Sequence, residues 1–240
     1  MNQSLLYLNQ SAGLQALSVL QNEHYCWLEI NNTVHSVMCR SNPAQLILPH
    51  LHPMMLALYF APQAKNALEL GLGGGAIQRY LAQHSRIELT SVELRTDVIA
   101  SFERYFNPAR LGAKIIQIDA QQYLPQSGKT DLLFVDLFDH QHCPAFLFEP
   151  DFYHKCHLAL SSQGILIVNL LPVSEFQVEQ VTHLLRQQFG QQTLCFSVPG
   201  YINRVLMVSE QPLPAISFDA DFFDFVQRSQ IDLNLFVLDS

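Results

Sequence analysis

The sequence predicts an α/β fold: an open, mostly parallel sheet of seven strands with an antiparallel last strand, preceded by a small N-terminal β-appendage. Residues 66–76 read N-A-L-E-L-G-L-G-G-G-A, an apolar run that ends in an acid and breaks into closely spaced glycines. From Asn66 onward, apolar runs alternate with helical periodicity, which is the pattern of a parallel sheet with crossover helices. The last two runs, 193–198 and 204–208, are joined only by a short stretch around Pro199-Gly200. A connection that short joins antiparallel neighbours.

The elements follow in order. Residues 1 to about 45 break into short strand-like pieces, with 25–30 and 34–38 flanking Asn31-Asn32-Thr33, an expected hairpin turn. A small β-hairpin region over 1–45 and a main domain over 46–240 are therefore expected. Pro43, Pro49 and Pro53 punctuate the junction, and 52–60 reads as a lead-in helix. Strands are expected near 66–70, 87–92, 114–118, 131–135, 164–169, 193–198 and 203–209, with helices over 76–84 and 151–160. In the tail, 217–227 carries Phe218, Phe222, Phe223, Phe225 and Val226 at helical spacing, which suits packing or a subunit contact.

Composition narrows the class. A chain of 240 residues buries a full core, and its net charge of −8 argues against nucleic acid while suiting a cationic small substrate. No apolar run approaches the roughly 20 residues that span a bilayer, and the start lacks the order of a signal peptide. A cytoplasmic protein with no membrane segment is expected. Cys26, Cys39, Cys143, Cys156 and Cys195 are odd in number and scattered, the pattern of reduced thiols rather than a disulfide framework.

Chemistry is expected at the carboxyl ends of the strands. Gly71, Gly73, Gly74 and Gly75 can turn sharply and bring a ligand close to backbone N–H groups. Glu69 precedes them, suited either to a cofactor amine or to holding the loop. Glu93 ends the second strand at the spacing at which a carboxylate accepts from ribose hydroxyls. Asp119 ends the third strand, and Asp136 and Asp139 follow the fourth. Tyr123 and Leu124 suit either an adenine face or the core, His50 or His52 the site entrance, and Asn169 a substrate contact or a turn. Asp139, His140, His142 and Cys143 lack the spacing of a structural zinc site, so no metal is expected.

The order E-L-G-L-G-G-G-A (69–76), S-V-E-L (91–94), I-D-A (118–120), D-L-L-F-V-D-L-F-D (131–139), F-x-P-D-F-Y (148–153) and L-S-S-Q-G-I-L-I-V-N (160–169) resembles the spermidine synthase family of aminopropyltransferases. The resemblance implies a Rossmann-like sheet of methyltransferase type, a homodimer, and decarboxylated S-adenosylmethionine as donor of an aminopropyl group to a small-molecule amine. It gives Glu93 the ribose hydroxyls, Asp119 and Ala120 the adenine edge, Asp136 the proton of the attacking amine and Asp139 the amine's position. Two departures stand out. Gly74 occupies the place of a family aspartate that meets the donor's amine, and Leu51-His52-Pro53-Met54-Met55 replaces an expected tyrosine, histidine and glutamate. The loop equally resembles motif I of methyltransferases that use intact S-adenosylmethionine. Methyl transfer and a non-catalytic nucleoside-binding role therefore stand as alternatives.

Overall fold

The computed structural model describes residues 3–9, 16–138 and 142–239. Strands β1 (Ser4–Asn9), β2 (Leu17–Gln21), β3 (Tyr25–Ile30) and β4 (Thr33–Cys39) form an antiparallel sheet in chain order. The expected hairpin is β3–β4, extended by two further strands into a meander. Its turn is shorter than expected: Asn31 and Asn32 take φ of 49° and 63°, the left-handed pair of a two-residue turn, and Thr33 pairs with Ile30. Alternating Leu17, Val19, Cys26, Leu28 and Met38 bury one face against Leu72, Val98, Phe102 and Phe106 of the main body.

The second sheet contains β5 (Asn66–Leu70), β6 (Glu88–Glu93), β7 (Lys114–Gln117), β8 (Thr130–Val135), β9 (Leu160–Leu170), β10 (Leu194–Ser197), β11 (Arg204–Ser209) and β12 (Val237–Leu238). Its order is β12-β10-β11-β9-β8-β5-β6-β7. Strands β5 to β9 run parallel, and β11 runs antiparallel to both β9 and β10. The sheet has eight strands rather than seven. The extra one, β12, is too short to show a period; it is held where Phe236 packs edge-on to Phe196 and Asp239 N–H donates to the Cys195 carbonyl.

Both faces of the sheet are covered, which explains its nearly continuous apolar runs. Leu68, Leu70, Leu133, Val135, Leu166 and Val168 face one helical layer, while Ala67, Leu132, Phe134, Ile165 and Ile167 face the other. The lead-in expected as one helix is two short ones, Leu51–Met55 and Ala57–Phe60, because the bonds from His52 to Pro49 and from Leu56 to Pro53 close tight three-residue turns. The chain steps from β5 to β6 and β7 on one side and returns to β8 on the other. Between β5 and β8 the strand order reverses, and a crevice opens at their carboxyl ends. No helix among the described residues is long and apolar enough to cross a membrane.

Candidate functional site

The crevice is a cleft of ≈ 410 Å³ that brings together Glu69, Gly71, Gly73, Glu93, Asp119, Ala120 and Asp136. The N-terminal sheet supplies part of the opposite wall through His35 and Ser36 of β4. Asp139, assigned to the amine by resemblance, lies outside the described residues, as does His140.

The glycine loop acts by close approach rather than as an amide cradle. Its N–H groups are engaged within the protein: Gly71 donates to the Val92 carbonyl at 2.9 Å, Leu72 to Glu93 Oε2 at 3.2 Å, Gly74 to Ser36 Oγ at 2.8 Å and Gly75 to the Leu72 carbonyl at 2.8 Å. Gly71 is required by its φ of +93° and by the Asp136 carbonyl oxygen, into which a Cβ would run. Gly74 and Gly75, expected to touch the cofactor, are not among the lining residues. They are buried behind the cleft, against Ser36 with Phe106 and against Phe102 respectively. Arg79, 4% exposed, fastens the loop from beneath by donating to the carbonyls of Gly74, Phe106 and Pro43.

Glu93 closes β6 with its carboxylate turned back onto the chain. Oε1 accepts from Arg95 N–H at 2.9 Å, and Oε2 from Leu72 N–H. Burial raises this carboxyl above its ordinary range, opposed by backbone N–H bonds from Arg95, Leu72, Leu94 and Gly73. Asp119 caps the helix Ala120–Tyr123, its Oδ1 accepting from the N–H groups of Gln121 and Gln122 at 2.9 and 3.2 Å. Leu94 and Ile118 beside these acids, with Pro144 and Phe146, give the cleft apolar walls. Tyr123 is not one of them; it lines a separate cavity at the opposite edge of the sheet.

At the other end, Asp136 follows β8 and is held by side chains. Asn169 Nδ2 donates to its Oδ1 at 2.8 Å, and Asn203 Nδ2 donates to Asn169 Oδ1 at 2.9 Å. Asn169 is thus neither a simple turn former nor a lone ligand contact. His35 and His50 line the cleft near Asp136, and burial lowers both imidazoles below 6.5 against the upward pull of that carboxylate. The Nε2 atom of His35 is buried without a hydrogen-bond partner among the described residues. His52 does not reach the cleft: its Nδ1 accepts from Asp232 N–H and ties down the tail. Glu69, 2% exposed, neither grips the glycine loop nor stands open. It accepts from the Ser91 hydroxyl, which in turn accepts from Gln78. Burial holds the Glu69 carboxyl well above the usual range, and the charges of Asp136 and Glu93 push the same way. Cys143 accepts from Leu171 N–H, its thiol pushed up to about 11 by burial. Among the described residues, no three His, Cys, Asp or Glu side chains gather as a metal set.

His35, Ser36, Arg79 and Asn203 carry no motif in the sequence. Ser36 and Asn203 reach their partners across 38 and 34 residues of chain, and only the folded structure reveals these contacts.

An open sheet with a reversed strand order, a glycine loop and strand-end carboxylates defines an α/β protein of methyltransferase-like fold. The chain belongs to the spermine/spermidine synthase family: the spermine/spermidine synthase domain matches residues 23–219. A polyamine aminopropyltransferase of Neisseria meningitidis is 32% identical over 144 residues, 58% of this chain and 55% of that protein. One from Chromobacterium violaceum is 29% identical over 143 residues, with the same coverage. The chain thus spans about half the length of these curated relatives. Among solved structures, a probable spermidine synthase from Corynebacterium glutamicum superposes with a TM-score of 0.77 at 16% identity, covering 98% of this chain and 90% of that one. A spermidine synthase in complex with the transition state analogue AdoDATO gives 0.70 at 18% identity, covering 90% and 76%. At these identities the superpositions establish the fold.

Proposed function

We propose that the protein is an aminopropyltransferase that binds decarboxylated S-adenosylmethionine and passes its aminopropyl group to a small amine. The donor's nucleoside lies between Glu93, which receives the ribose hydroxyls, and the Asp119–Ala120 corner at the adenine edge. The donor is a sulfonium cation, and a cleft lined by Glu93, Asp119 and Asp136 suits it. The amine nitrogen attacks the aminopropyl carbon next to sulfur, the C–S bond breaks, and its electron pair leaves on the thioether, methylthioadenosine. The nitrogen releases a proton to Asp136. Alignment carries most of the rate, because the charge on sulfur is discharged as the bond breaks. Asp139 has its role, orienting the amine, from the resemblance alone.

The observation that carries this reading is Asp136, a cleft carboxylate bonded at one oxygen by Asn169 and sharing the cavity with Glu93 and Asp119. The test is methylthioadenosine release from the decarboxylated donor with a panel of amines, using Asp136→Asn as control. No release with any amine sinks the reading.

One observation favours methyl transfer from intact S-adenosylmethionine instead. A Cβ at Gly74 would meet Ser36 Cβ at 2.8 Å and the Phe106 ring at 3.2 Å, so the place of the family's donor-binding carboxylate is filled. A donor keeping its own carboxylate meets no repulsion there. Calorimetry with both donors decides between them, and nucleoside binding without turnover would leave a binding protein. A cytosolic homodimer completes the proposal: Phe218, just before the tail helix Ala220–Arg228, and Phe223 within it stand exposed and fit a subunit contact, which light scattering tests.

A further inference from the structure

We infer that Asn169 and Asn203 are positioning residues for the transfer, holding Asp136 by one oxygen so that the other takes the proton. The inference rests on Asp136 being the base proposed above. Three separate parts of the chain meet here: the residue after β8, the penultimate residue of β9, and the residue before β11. Asn169 is 0% and Asn203 7% exposed, so their amides must find partners inside the protein.

The direction of the chain is fixed by chemistry. An ionised carboxylate only accepts, so Asn169 must present Nδ2 to Asp136 Oδ1. Its own Oδ1 is then left for Asn203, which must also present Nδ2. Flipping either amide would set oxygen against oxygen or nitrogen against nitrogen. Asp136 Oδ1 is committed by this chain, and the proton is taken at Oδ2.

Topology explains how Asn203 arrives. A parallel strand would begin at the far edge of the sheet. Because β11 runs antiparallel to β9, with Val205 opposite Asn169, its first residues lie at the edge where the parallel strands end. The reversed strand thereby delivers a side chain to a site that the parallel strands alone would leave with two members.

The test uses the full chain with Asn169→Ala and Asn203→Ala, each alone and combined with Asp136→Asn. Methylthioadenosine release is followed with the decarboxylated donor and 1,4-diaminobutane. For Asn169→Ala, kcat should fall by about 10²-fold, the scale of a 1 Å misplacement, and less for Asn203→Ala, with the donor KM unchanged. In the Asp136→Asn background neither substitution should lower the rate further, because residues acting as a unit are not additive. Equal losses in both backgrounds overturn the inference. Asn169→Asp keeps the shape and sets a second carboxylate against Asp136. It should lose as much activity at neutral pH as Asn169→Ala, and a near-normal rate would also overturn the inference. If the wild type releases no methylthioadenosine with any amine, the reaction proposed above fails separately. The positioning role is then decided by calorimetry of 1,4-diaminobutane on the methylthioadenosine-loaded protein. Weakening by Asn169→Ala to the level of Asp136→Asn supports it, and unchanged binding overturns it.

Discussion

The two ends of the cleft hold their carboxylates in different ways. At the end proposed for the nucleoside, Glu93 and Asp119 are fixed by main-chain N–H groups within a few residues or one strand away. At the end proposed for the transfer, Asp136 is fixed by a side-chain amide 33 residues further on, itself held by another amide 34 residues beyond. Asp119 and one oxygen of Glu93 are gripped by N–H groups two or three residues on, and only the Leu72 bond needs a neighbouring strand, so the first arrangement is mostly local. The second depends on three strands lying in register, and can change its neighbours without disturbing the first.

If the two ends are separable, Asp136→Asn should lower kcat by about 10³-fold, within the usual contribution of a positioned base. Methylthioadenosine affinity should stay within about threefold of wild type, since a neutral amide of the same shape still occupies the site. Calorimetry beside steady-state kinetics checks both halves; a parallel loss of nucleoside binding would mean that the cleft is a single unit.

Glu93→Ala is the converse. It removes the group assigned to the ribose hydroxyls and the acceptor of the Leu72 and Arg95 N–H groups. Hydrogen bonds to a charged group contribute roughly 1.5–3 kcal/mol, so nucleoside affinity should fall about 10- to 100-fold. Undiminished binding measured by calorimetry would remove Glu93 from the site.

The same contrast explains what was legible in the sequence. The four carboxylates could be read because each stands at or beside the end of an apolar run, and a run plus its terminator is a local signal. Glu69, Glu93, Asp119 and Asp136 all reached one cleft as expected. The glycines were legible in part. Clustering showed that close approach was needed, but not that Gly74 and Gly75 pack against Ser36 and Phe102 behind the cleft. The contribution of the N-terminal sheet was invisible because His35 and Ser36 sit in an ordinary alternating strand. Neither has a partner nearby in sequence. Strand β12 was missed for a related reason: two residues carry no period, and Phe236 beside them holds the edge.

Gly74→Asp tests whether the donor-tail position is closed. Its backbone is not left-handed, so the cost arises from space, with Ser36 Cβ at 2.8 Å and Phe106 at 3.2 Å from the new Cβ, and from burying a carboxylate there. Overpacking of this kind costs about 1–3 kcal/mol. The variant should melt earlier than wild type without gaining affinity for the decarboxylated donor, and adding Ser36→Gly should recover part of the stability. A variant as stable as wild type that now prefers the decarboxylated donor would show that the carboxylate can be restored, moving weight away from intact S-adenosylmethionine.

The smallest effect is expected where the two ends meet, at Glu69. Its folded carboxyl sits well above the unfolded value near 4.5, chiefly through burial and then through the charges of Asp136 and Glu93. A raised carboxyl favours folding only while the unfolded chain is also protonated. That contribution is complete below about pH 4.5 and is lost as pH rises toward the folded value. At neutral pH, therefore, Glu69 costs stability that Gln would not, while Gln can still accept from the Ser91 hydroxyl. Glu69→Gln should stabilise the protein by on the order of 1 kcal/mol at pH 7, with the gain shrinking toward pH 5 in urea melts. A pH-independent difference would place the effect in packing. A loss of stability at neutral pH would mean that Glu69 is ionised in the folded protein despite its burial.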